Sequence, residues 1–89
     1  MTTAERIDAA LRAGLAPATL HIEDESHLHA GHAGARGGGG HFRVRVVSEA
    51  FRGKGLVERH RMVYALLADE MRGAVHALAI TALAPGEPG

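Results

Sequence analysis

The sequence predicts an α+β fold in which a three-stranded mixed sheet is covered by helices on one face, in the order α-β-β-α-α-β. Three observations carry this. Two segments, Thr19–Glu23 and His41–Val47, alternate apolar and polar residues as half-buried strands do. A third, Val75–Ala82, follows a long helical stretch, so it returns to the second strand by a right-handed crossover and runs parallel to it. Short helical patterns flank the strands, and one sheet layer with helices on one face is the arrangement that buries them all.

The first helix is read over 3–13. Thr2-x-x-Glu5 has the form of a capping box, Ile7, Ala10 and Leu11 recur at helical spacing, and Gly14 is read as the stop. In the first strand Leu20 and Ile22 face in while His21 and Glu23 face out. Residues 25–40, E-S-H-L-H-A-G-H-A-G-A-R-G-G-G-G, are expected to be a flexible loop, because four glycines in a row lose too much entropy in a regular element. In the second strand Phe42, Val44 and Val46 share a face, with Arg43 and Arg45 on the other.

Ser48 reads as the N-cap of a single turn, Glu49–Phe51, which Arg52-Gly53-Lys54-Gly55 breaks. One long helix is then expected over 56–71. Leu56, Val63, Leu67 and Met71 share a face, with Val57 and Tyr64 beside them. Gly73 ends it. Strict alternation in the third strand puts His76 on the side of Leu78 and Ile80. Residues 84–89, rich in proline and glycine, read as a disordered tail.

Eighty-nine residues form one domain, 1–89, with a single core. Only Phe42, Phe51 and Tyr64 are aromatic, so that core is aliphatic. The formal net charge is zero, which argues against strong non-specific binding of nucleic acid by the whole chain. There is no cysteine, which removes disulfides and thiolate catalysis. No segment has the roughly 20 apolar residues of a membrane span, and the N-terminus lacks the blocks of a secretory signal. A soluble cytoplasmic protein is the expectation.

Seven histidines are many for so small a chain, and imidazole binds metals. With the second and third strands parallel, their starts lie side by side, and the loop 25–40 hangs from the same edge. His29 or His32 from the loop and His76 from the third strand therefore converge as candidate metal ligands. Two imidazoles are fewer than the four ligands of a structural metal, and any thiolate must come from a partner. A site half-built on one chain points to an interface. The plainer readings are a solvated glycine-rich loop and a strand-end histidine satisfied by backbone. His21 and His41 read as strand-surface residues and His60 as a packed one.

The second cluster is Arg52, Lys54, Arg59 and Arg61, around a turn between two helices, an arrangement that can dock on nucleic acid. A solvated basic face is the plainer reading, since Glu49, Glu58, Asp69 and Glu70 dilute the charge and no aromatic is offered for base stacking. An enzyme finds no support: there is no credible nucleophile with its base and no phosphate loop.

The chain resembles the BolA family from about Leu20 to Pro85. The resemblance rests on Asp24-Glu25-Ser26, on His41-Phe42-x-Val44-x-Val46-Val47-Ser48, on Phe51-x-Gly53-Lys54-x-Leu56-Val57-x-Arg59-His60-Arg61-x-Val63-Tyr64, and on Val75-His76-Ala77-Leu78-x-Ile80. It implies a class II KH-like fold and a non-enzymatic adaptor. The partner would be a monothiol glutaredoxin, in a heterodimer sharing a [2Fe-2S] cluster whose thiolates come from the glutaredoxin and glutathione. The family's third-strand histidine maps onto His76. The loop ligand maps onto His29 by spacing from Asp24-Glu25-Ser26, or onto His32 by spacing back from His41. Mixed imidazole and thiolate ligation resembles a Rieske centre, a pattern associated with raised potential. The resemblance also implies the alternative of a DNA-binding regulator of stress response and cell shape, using segment 48–61. There the KH GXXG loop falls at Arg52-Gly53-Lys54-Gly55, with arginine in the first position. Self-association into a weak homodimer stays open.

Overall fold

The computed structural model describes residues 1–26 and 40–89. Its elements are α1 (Thr3–Leu15), β1 (Thr19–Asp24), β2 (Gly40–Val47), a 3₁₀ turn (Glu49–Phe51), α2 (Leu56–Leu66), α3 (Ala68–Arg72) and β3 (Val75–Leu83). The sheet order is β1-β2-β3, with β1 antiparallel and β3 parallel to β2. The expected α+β fold is the observed one.

The N-terminus of α1 is a capping box: the Thr2 hydroxyl accepts from the Glu5 N–H, and the Glu5 carboxylate accepts from the Thr2 N–H. Those bonds hold the Glu5 carboxyl below its usual range. Gly14 does not end the helix. It runs on to Leu15, and Ala16 caps it in the left-handed region at φ 43°. Gly14 is instead a point of close approach, since a β-carbon there would lie 2.4 Å from Leu66 Cδ2.

The core joins Ile7, Leu11 and Leu15 of α1 to Phe42, Val44 and Val46 of β2, with Phe51, Val63, Leu67, Val75 and Ala82. Ser48 is the one buried polar residue among those described. Its hydroxyl donates to the Leu15 carbonyl (2.5 Å) and accepts from the Ala50 N–H (3.1 Å), so it closes the end of α1 and starts the next turn at once.

The long helix read over 56–71 is interrupted at Leu67, whose backbone sits at φ −104°, ψ 21°. The break lets Leu66 press on α1 at Gly14 while Leu67 stays fully buried. Leu56 and Val57 are 67% and 63% exposed, against the expectation that they flank the core. Leu56 is on the azimuth of Val63, two turns away, so its exposure comes from position along the axis: the first turn of α2 projects past the core.

The segment 84–89 is not a loose tail. Ala84 is buried, and its N–H donates to the Glu87 carboxylate at 2.8 Å. Arg59 grips the same carboxylate through both terminal nitrogens, at 2.6 and 2.9 Å, and Arg52 reaches the Pro85 carbonyl at 2.9 Å. Proline and glycine composition does not reveal such tethers, because the residues that make them come from elsewhere in the chain.

Candidate functional site

β2 and β3 begin at the same end of the sheet, whose open face lies away from the helices. Parallel pairing sets their first residues side by side, as expected, but the register slips there. Gly40 pairs with Val75, yet His41 pairs with Ala77, which leaves His76 as an extra residue in β3. Val75 is buried, His76 and Ala77 are both exposed, and Leu78 turns inward again. Strict alternation would have put His76 with Leu78 on the helix side. The slip instead delivers it to the open face.

There it meets His41. The two rings lie with centroids 5.4 Å apart and planes tilted by 47°. His41 reads from sequence as a plain strand-surface residue, so the pairing of these two histidines is new. Part of the signal was available, since parallel strands place their starts together. The slip that turns His76 outward has no residue signature.

His41 is held firmly. Its N–H donates to the Ser26 hydroxyl at 3.0 Å, and its carbonyl accepts from the Glu25 N–H at 2.7 Å. The Ser26 N–H in turn donates to the Asp24 carboxylate at 2.9 Å, and the Glu25 carboxylate accepts from Arg43 Nε at 3.3 Å. Asp24-Glu25-Ser26 is thus a local turn that clamps the start of β2 and sets where the His41 ring emerges. Glu25 and His41 also line one shallow cavity with Ala77 and Ala79. Among the described residues no group of three or more His, Cys, Asp or Glu is placed to hold a metal. The proposed loop ligands His29 and His32, and most of the loop 25–40, lie outside the described residues. His21 is exposed beside Glu23 on β1, at 3.1 Å. The Nε2 of His60 is buried with no hydrogen-bond partner.

The basic cluster is differently disposed. Arg59 donates to the carbonyls of Lys54 (2.8 Å) and Ala82 (3.0 Å) besides its two bonds to Glu87, and its side chain is 12% exposed. It also lies 6.0 Å from the Phe51 ring centre. The bond from Arg59, reinforced by the Ala84 N–H, pulls the Glu87 carboxyl down to about 2, and the Arg59 guanidinium is raised in return. Arg52 is paired with Glu49 at 2.7 and 2.8 Å, which lowers the glutamate and raises the arginine. Lys54 is 3.6 Å from Glu58. Of the four cations, Arg61 is exposed and has no ion pair among the described residues. The cluster exists in sequence, but most of it is engaged within the fold.

A family model described as BolA-like protein matches residues 11–87. The chain is 49% identical over 87 residues to SufE-like protein 1, chloroplastic/mitochondrial, of Arabidopsis thaliana, covering 92% of this chain and 24% of that relative. It therefore spans about a quarter of that relative's length. It is 44% identical over 80 residues to the DNA-binding transcriptional regulator BolA of Escherichia coli (strain K12), covering 90% of this chain and 73% of that relative. Among solved structures, the BolA domain of SufE1 from Arabidopsis thaliana matches with a TM-score of 0.86 at 45% identity, covering 99% of this chain and 98% of the other.

Proposed function

This chain belongs to the BolA-like family, and from that premise we propose that it is a non-enzymatic adaptor that pairs with a monothiol glutaredoxin and co-ligates a [2Fe-2S] cluster. One observation carries the reading: His76 is turned out of the sheet at the start of an edge strand, on a face that also presents His41. The donor chemistry fits a shared group. The chain offers imidazole and no cysteine, so the thiolates come from the glutaredoxin and glutathione. His76 would hold the cluster from this side, with His29 or His32 as the second imidazole. The cluster supplies the electron-transfer or transfer-to-acceptor chemistry when bound. This chain sets its exposure and its ligand field, and serves iron–sulfur trafficking or iron and redox regulation.

The test is a titration of this protein into a glutaredoxin carrying a reconstituted [2Fe-2S] cluster, followed by visible circular dichroism. A new spectrum saturating at one to one is expected, and His76→Ala should abolish it. A spectrum unchanged by His76→Ala would sink the assignment.

The second reading is a DNA-binding regulator, favoured by the name of the Escherichia coli relative. Its interface would be the segment 48–61, with Arg61 and Lys54 the cations least committed to the fold. It predicts an affinity that falls with salt with a shallow slope, since few phosphates are neutralised. Fluorescence anisotropy on duplex DNA at moderate salt checks it, and no binding there counts against it.

A further inference from the structure

We propose that Arg59, Arg52 and the Ala84 N–H form a phosphate-binding site that the chain keeps closed with its own Glu87 carboxylate. Three donors converge on that carboxylate. Arg59 Nη1 and the Ala84 N–H both reach Oε1, at 2.6 and 2.8 Å, and Arg59 Nη2 reaches Oε2 at 2.9 Å. A two-pronged guanidinium with a backbone N–H beside it matches phosphate oxygens as well as it matches a carboxylate. Glu87 presents the same pair of oxygens with the same sign of charge, so it is a tethered stand-in for the ligand.

Two features separate this arrangement from a plain ion pair. The donors, first, are held independently of Glu87. Arg59 Nε donates to the Lys54 carbonyl at 2.8 Å and Nη1 to the Ala82 carbonyl at 3.0 Å, and Ala84 is buried just past the end of β3. They keep their places when the carboxylate leaves. The acid is carried instead on a short turn: Pro85 and Gly86 form its centre, Gly86 at φ 88°, and the Glu87 N–H returns to the Ala84 carbonyl at 3.1 Å. The Glu87 side chain is 34% exposed against 12% for Arg59, so a ligand approaches the pair from the Glu87 side. The second feature is charge. A mostly buried guanidinium left without its partner is costly, so the departure of Glu87 calls in another anion. Arg52, paired on one side with Glu49, stands at the same rim, where its Nη2 donates to the Pro85 carbonyl at 2.9 Å. A phosphate group answers Arg59 as Glu87 does and draws on Arg52 as well.

This site stands apart from both functional readings, and its test contains neither glutaredoxin nor DNA, so each can fail without the other. The full chain and its Glu87→Ala variant are titrated with inorganic phosphate at constant ionic strength, and the Ala84 amide and Arg59 Nε–H signals are followed by heteronuclear NMR. A tethered competitor weakens the apparent affinity by the fraction of time the site stands open. Glu87→Ala should therefore bind phosphate about tenfold or more tighter than the parent, with saturable shifts centred on those two groups. Glu87→Gln keeps the size of the side chain and drops its charge. It should also bind more tightly than the parent, and it serves if the alanine variant does not fold. Adding Arg52→Gln to either should weaken phosphate about threefold. Dimethyl phosphate, run in parallel, separates the two sources of the ligand: tighter binding of inorganic phosphate assigns a free or monoester phosphate, tighter binding of the diester a nucleic-acid backbone. Equal affinity in the parent and both Glu87 variants overturns the proposal. So does the absence of saturable shifts at Ala84 and Arg59 in a folded variant, or acetate binding as tightly as either phosphate.

Discussion

The two ends of β3 carry the two clusters singled out in the sequence, and they differ in what their side chains do. At the far end Arg59, Arg52 and Glu87 tie the last residues to α2 and to the turn after β2. At the near end His76 is exposed and His41 sits beside it on the open face. Charge clustering in sequence says nothing about whether those charges face solvent or close the fold. Here the arginines mostly belong to stability, while His76 stands exposed at the other end.

That contrast breaks if the far end proves dispensable. Arg59→Ala removes four hydrogen bonds at a 12% exposed side chain, and it should give the largest fall in Tm of any single change discussed here. Arg61→Ala should leave Tm nearly unchanged, and parity between the two would erase the distinction. Ser48→Ala comes next. It leaves the Leu15 carbonyl without its buried donor and removes a cap, at about 1–2 kcal/mol by denaturant unfolding.

The Arg59–Glu87 pair also has a pH signature. The Glu87 carboxyl is depressed from 4.5 to about 2 in the folded protein. Its contribution is complete above the unfolded value and is lost as pH falls through about 2. Glu87→Gln should therefore flatten the acid limb of the Tm profile below pH 4.5 and change its slope little above it. The near end gives the smallest stability effects. His41→Ala and His76→Ala should each lie within about 0.5 kcal/mol of the parent, while His76→Ala removes the spectrum of the shared cluster. A large destabilisation would move these histidines into the structural class.

Most of the frame was legible. The period-two pattern of Phe42, Val44 and Val46, the Thr2–Glu5 box and the Ser48 cap are local signals, and local physics produces them. Gly14 was readable as special but not as a contact with Leu66, because that contact depends on a residue 52 positions on. The tethering of 84–89 was not legible for the same reason: Arg59 and Arg52, which hold it, lie far back in the chain. Half of the histidine pair followed from topology: parallel neighbours begin together, which brought in His76. His41 was passed over because an alternating strand gives no ground to prefer one surface residue over another. The break at Leu67 and the slip at His76 are backbone adjustments that no residue type announces.

The slip has a consequence for heredity. Val75 faces in, His76 and Ala77 both face out, and Leu78 faces in again. Deleting one codon at Ala77 would leave Val75-His76-Leu78, which alternates in, out, in and pairs regularly with β2. His76 would then stand opposite His41 in the ladder and keep its outward face. A descendant could lose that one letter without losing the surface, so selection here acts on the histidine itself more than on the spacing behind it.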